Sequence, residues 1–151
     1  MSKFGIPFIT ECIRAFSERF ALTRQRAYDY LRHYKGLSFL IDFYDVEHLQ
    51  SIDETVDDLI LICKKNGGQI VKKELTHHDT AEFIINHIIS ELTTYLMEDR
   101  GCSVTEAMDI VYASHLLQLL QKEDEELYVQ SPAYLYQLLL KEFSEKDLQI
   151  A

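Results

Sequence analysis

The chain has 151 residues, 47% of them hydrophobic, with only five glycines and two prolines and a net charge of −10. This composition excludes a disordered polar chain and suits a helix-rich globular fold able to bury a core. The acidity is uneven. Residues 1–73 hold eleven Lys/Arg against ten Asp/Glu and residues 74–151 hold four against fifteen, a surplus that repels phosphate backbones and disfavours nucleic acid.

Helical periodicity begins near the start. Over about residues 7–20, Ile9, Cys12, Ile13, Phe16 and Phe20 share one face. Thr23 supplies an N-cap for a second helix whose face carries Ala27, Tyr30, Leu31 and Tyr34, with Gly36 as its stop. A short third helix follows around Leu37–Tyr44. After a polar turn, Ser51-Ile52-Asp53-Glu54 has the form of a capping box, and Val56, Leu59, Ile60 and Cys63 give the last helix its apolar face. Asn66-Gly67-Gly68 terminates that helix, and residues 69–78 read as a linker with a short extended piece at Gln69–Val71.

The same order of signals then returns. Over about residues 80–100, Ile85, Ile88, Ile89, Leu92 and Leu96 repeat the first apolar face, and Arg100-Gly101 is a stop signal. Ser103–Glu106 is a capping box opening a helix with Ala107, Ile110, Val111 and Ser114 on its face. A short helix is predicted over Leu116–Lys122, and Ser131-Pro132 opens the last, with Tyr136, Leu139, Leu140 and Phe143.

Residues 23–63 align with 103–143 without a gap. Ala27 meets Ala107, Leu37 meets Leu117, Leu40 meets Leu120 and Gln50-Ser51 meets Gln130-Ser131. The first helices align at an offset four residues smaller, the extra four lying within Met97–Cys102 and amounting to about one turn. The expectation is an all-α fold of two tandem, duplicated helical units of about four helices each, packed as a compact helical bundle. The first unit spans residues 1–68, the linker 69–78 and the second, acidic unit 79–151.

Side chains with chemical potential are few. Cys12 and Cys63 fall on apolar faces and read as reduced core thiols, while Cys102 precedes a helix start. Three widely spaced cysteines, with no secretory signal over Met1–Pro7 and no apolar run of about 18–20 residues, suit the cytoplasm. His77, His78, Asp79, Glu82, His87 and Glu91 include pairs at metal-ligand spacing, but Asp79–Glu82 reads equally as a capped helix start, so no metal site is expected. Glu123-Asp124-Glu125-Glu126 lacks the glycine turn and alternating ligands of a calcium loop and reads as a solvated or partner-docking acidic patch beside Tyr128.

Tyr44, Asp45 and His48 form the one polar-aromatic cluster, in which Asp45 could orient the imidazole. No nucleophile stands beside it, and the second copy has Asp124, Glu125 and Tyr128 at the matching positions. A contact with a partner is therefore a better reading than catalysis, and structural hydrogen bonding within the turn is the remaining alternative. No phosphate loop, paired-cysteine motif or dinucleotide fingerprint occurs, and no cofactor is expected. The many tyrosines would suit an interface wherever they are exposed together.

Phe43-Tyr44-Asp45-Val46-Glu47-His48, followed by Val56-Asp57-Asp58-Leu59, resembles the bacterial domain-of-unknown-function family 3791 over about residues 8–66. The second unit, through Leu127–Tyr134, resembles a divergent relative that has lost the Tyr-Asp-x-x-His motif. Members of that family are often encoded beside toxins with an ADP-ribosyltransferase-like fold, so the resemblance implies an antitoxin or other accessory binding protein. The expected function is thus a non-enzymatic interaction module that meets a basic partner, a neighbouring-gene toxin, through Tyr44, Asp45, His48, Glu123–Glu126 and Tyr128. Homo-oligomerisation stays open. The alternative is a transcriptional regulator binding DNA through the first unit, where Arg14, Arg19, Arg24, Arg26 and Arg32 lie.

Overall fold

The computed structural model describes residues 5–70, 80–122, 127 and 129–150, with backbone alone for 80–82 and 145–150. Among these residues every regular element is a helix, and none is long and apolar enough to cross a membrane. The chain divides into two compact units, Met1–His77 and His78–Ala151.

In the first unit, α1 (Ile6–Arg19) is the central element and packs against α2 (Arg24–His33), α3 (Gly36–Asp42) and α5 (Ile52–Lys65). Its predicted stripe is the core: Ile9, Cys12, Ile13 and Phe16 are fully buried and Phe20 nearly so. Leu31, Leu37, Leu40, Val56, Leu59 and Cys63 close over it from the other helices. Burying such side chains stabilises the fold by roughly 1.5–3 kcal/mol each. Arg19 at the end of α1 pairs with Asp57 (2.5 Å) and Asp53 (3.5 Å) on the first turn and a half of α5. Exposed pairs of this kind add at most about 1 kcal/mol.

Two details differ from the sequence-based expectation. The buried side of α2 runs through Ala27, Tyr28 and Leu31, leaving Tyr30 and Tyr34 only half-buried. Gly36 does not end α2 but begins α3; the left-handed residue at the junction is Lys35, with φ +67°. Gly36 is needed for space instead, since a Cβ there would lie 2.7 Å from Leu31 Cδ2 and 3.1 Å from Cys63 Sγ. A further correction is a short helix absent from the sequence reading, α4 (Tyr44–Glu47), which gives the first unit five helices rather than four among the described residues.

The turn between α1 and α2 also holds a non-glycine residue in the left-handed region, Ala21 at φ +53°. Replacing Ala21 with glycine is expected to raise stability by about 0.5–1 kcal/mol, relief of the Cβ clash exceeding the added chain entropy. A urea midpoint that stays level or falls would show the turn to be unstrained.

In the second unit, α6 (Thr80–Arg100) packs against α7 (Val104–Ala113) and α9 (Pro132–Ile150), while α8 (His115–Gln121) contacts α7 and α9. Ile85, Ile88, Ile89, Leu92 and Leu96 are buried along α6, with Ala107, Met108, Val111, Leu117, Leu120, Leu135 and Leu139 against them from the other helices. Gly101 takes φ +64° immediately after α6, as its stop position requires. Glu142 of α9 accepts the backbone N–H groups of His115 (2.9 Å) and Leu116 (3.0 Å), so a carboxylate from a neighbouring helix satisfies the start of α8.

The capping pattern recurs at the 80-residue spacing. Thr23 and Ser103 each accept from the backbone N–H three residues on, and so do Ser51 and Ser131. Ser103 and Glu106 complete the reciprocal box, whereas at Ser51 the side-chain cap acts in one direction. Residues 51–62 and 131–142 show the same succession of exposed, half-buried and buried positions.

Candidate functional site

The Tyr-Asp-x-x-His segment forms the corner between α3 and α5. Phe43 closes α3 by donating its N–H to Phe39 O and at the same time caps α4, its own carbonyl accepting from Glu47 N. One helical turn then places residue 48 over residue 44. His48 and Tyr44 stack almost parallel, with ring centroids 4.4 Å apart and planes inclined by 12°. Phe8 of α1 meets Tyr44 edge-on at 5.7 Å, so Tyr44 joins α1 to the corner.

His48 Nδ1 lies 2.6 Å from Tyr44 O. A carbonyl only accepts, so Nδ1 carries the proton of the neutral ring and Nε2 is the ring's remaining polar position. This corrects the role proposed for Asp45. The imidazole is oriented by the backbone carbonyl four residues earlier, and Asp45 is an exposed acid on the surface of the turn.

Beneath the turn is a polar contact that sequence reasoning missed. Glu47 is only 6% exposed, its backbone carbonyl accepts from Thr55 Oγ1 (3.2 Å), and its carboxylate accepts from Gln50 Nε2 (2.7 Å). The same Gln50 nitrogen donates to Asp58 on α5 (3.1 Å). Burial, together with the hydrogen bond and charge of Asp58, holds the Glu47 carboxyl above its ordinary pKa, and the Thr55 and Gln50 hydrogen bonds oppose that rise. The available signal was spacing: Glu47 follows Leu40 by seven residues, two turns later on the buried side.

The outer side of this corner is apolar. Phe43, Val46 and Leu49 are 53%, 61% and 77% exposed. They stand in a strongly acidic stretch, since residues 42–58 contain seven Asp/Glu and no Lys or Arg. The structure therefore stacks exposed His48 on a half-buried Tyr44, leaves Asp45 exposed, and exposes Phe43, Val46 and Leu49 in the same turn. The other expected contacts, Glu123, Asp124, Glu125, Glu126 and Tyr128, lie outside the described residues, as do His77, His78 and Asp79. His87 of α6 is exposed and Glu91 half-buried, and among the described residues no group of three metal-ligating side chains converges.

The thiols are poorly placed for nucleophilic work. Burial, reinforced by Glu11 and Glu47, pushes the Cys12 thiol well above its ordinary pKa, and burial raises Cys63 to about 11. Half-buried Cys102 directs its sulfur to Leu96 O at 3.6 Å.

A second aromatic surface lies on α2 of the same unit. Leu22, Arg26, Tyr30, His33, Tyr34 and Ile70 line an open groove of ≈ 590 Å³, in which the Tyr30 and Tyr34 rings are 4.7 Å apart and His33 meets Tyr34 edge-on at 4.6 Å. Tyr136 in the second unit is spent on structure, donating to Asp99 (2.8 Å), and burial with that bond raises its pKa to about 12.

Residues 7–66 match the family described as "Protein of unknown function (DUF3791)", a span that contains the whole Phe43–Leu49 corner and the helices that position it. No curated protein and no solved structure matches the chain.

Proposed function

From the premise that residues 7–66 are a segment of this family, we propose that the chain is a non-enzymatic protein-interaction module. Its role is that of antitoxin or accessory partner to a bacterial toxin with an ADP-ribosyltransferase-like fold, acting in the cytoplasm. The observation that carries the reading is the corner itself, three large apolar side chains exposed together on an acidic surround. Exposed apolar groups ringed by charge suit a partner interface, and the sign of the charge selects a basic partner. The acidic run Glu123–Glu126, with Tyr128, adds to the same sign of charge by sequence.

The two units are proposed to descend from one duplicated ancestor, on the recurrence of caps and burial at a constant spacing. On this reading the scaffold was kept while the surfaces diverged.

Co-purification with the product of the adjacent gene tests the function. The expected result is a complex that weakens as salt rises, as steered charge contacts do, and that is lost when Phe43, Val46 and Leu49 are replaced together by serine. Reversing Glu123–Glu126 to lysine should weaken it further. Absence of association at low salt would sink the proposal.

The DNA-binding alternative draws less support. Arg14 is paired with Glu11 and Glu18, Arg19 with Asp53 and Asp57, and Arg24 is buried, so at least three of the five arginines are engaged within the fold. A gel-shift with the upstream DNA decides it, retardation at physiological salt being the result that would revive it.

A further inference from the structure

We infer that Glu47, Gln50 and Asp58 form a proton-dependent latch, which clasps the Phe43–Leu49 turn to α5 while Glu47 is protonated and loosens it when that proton is lost. The inference deepens the interaction reading, because the turn so held is the surface assigned there to the partner.

The geometry has three parts. Thr55 Oγ1 holds the backbone of the turn at Glu47 O, Gln50 Nε2 bridges the Glu47 and Asp58 carboxyls at 2.7 and 3.1 Å, and Glu47 is itself buried. Two carboxyls that reach the same amide nitrogen lie close together, so once both are ionised like charges face each other, with Glu47 withdrawn from water. The groups facing Glu47 are Thr55 and Asp58 from α5, Gln50 from the turn and the neutral thiol of Cys12 from α1, with Glu11 beyond it. The two cations of α1 are committed elsewhere, Arg14 to Glu11 and Glu18 and Arg19 to Asp53 and Asp57. At the 80-residue spacing the second unit has Leu127 and Leu138 in place of Glu47 and Asp58, so the pair belongs to the first unit.

The sign follows from the raised Glu47 value. A group whose pKa is higher in the folded turn contributes stability that is fully present below the unfolded carboxylate value and is lost as pH rises through the folded one. Local opening of the turn should therefore increase, by up to about tenfold per pH unit, between those two values and level off above them.

Hydrogen–deuterium exchange of the peptide spanning residues 43–50, measured in the full chain across a pH series and corrected for intrinsic exchange, reads this directly. Wild type is expected to lose protection as pH rises, while Glu47→Gln, which keeps the amide-bridged shape without the ionisation, stays protected. Equal pH slopes in the two proteins would overturn the latch. Should Glu47→Gln fail to fold, Asp58→Asn at the half-exposed partner serves the same purpose, a slope equal to wild type again being the overturning result. Partner association is scored separately at one pH, so loss of binding with the slopes intact rejects the interaction reading alone.

Discussion

Replacing Phe16 with alanine is expected to destabilise the first unit by about 3–5 kcal/mol, the range for deleting a buried ring where the surroundings collapse only partly. Phe16 is completely buried on α1, with Phe20 at 4.8 Å and Tyr30 of α2 stacked at 5.7 Å. Its removal opens a void on the helix that α2, α3 and α5 all share, and no single neighbour can move into it without leaving another. Since a whole domain is worth about 5–15 kcal/mol, a loss of that size should leave this short unit largely unfolded at moderate urea. Urea denaturation followed by circular dichroism checks it; a loss under about 1 kcal/mol would mean that the Phe16 site repacks.

Gly68→Ala should cost about 1–3 kcal/mol through overpacking. The end of α5 is a Schellman closure: Gly68 N–H donates to Cys63 O (2.8 Å), Gly67 N–H to Lys64 O (3.2 Å), and Gly67 takes φ +95°. A Cβ on Gly68 would stand 2.3 Å from Tyr30 Oη and 2.9 Å from Cys63 O. The tyrosine can swing away, but the carbonyl belongs to the last turn of the helix and cannot. Gly67→Ala provides the contrast, since a Cβ there meets nothing within 4 Å. Its cost, about 1 kcal/mol, is conformational and should leave Tyr30 undisturbed. If Tyr30 resonances shift as much in Gly67→Ala as in Gly68→Ala, the steric account of Gly68 fails.

Helix positions and most caps were readable because each has a local cause. A buried stripe repeats every three or four residues, and Thr23, Ser51, Ser103 and Ser131 cap through backbone N–H groups three positions away. What escaped depends on contacts distant in sequence. Gly36 resembles a helix stop, but its need comes from Leu31 and Cys63, the latter 27 residues on. Tyr28 rather than Tyr30 enters the core because the side of α2 facing inward is set by how it rests on α1, which propensity does not encode.

The site divides along the same line. The Tyr44–His48 stack follows from four-residue spacing once α4 is recognised. Assigning the histidine's orientation to Asp45 failed because a backbone carbonyl competes with every side chain for a ring nitrogen and leaves no mark in the sequence. The link from Glu47 to Asp58 spans eleven residues and a polar turn, and only the fold brings those acids together.

In the first unit, α1 contacts both its immediate successor and the last helix, α5. During synthesis, therefore, the face of α1 that Val56 and Leu59 close over cannot be covered until the ribosome has made and released the Ile52–Lys65 stretch. A nascent chain stalled short of that point would carry an uncovered apolar helix, a natural substrate for chaperones, whereas one stalled shortly after it already has every described helix of this unit. The glycines at 67 and 68 thus mark an early point of commitment. Domains acquire structure as units, the N-terminal one first, so the Phe43–Leu49 surface should be formed while the acidic half is still being translated.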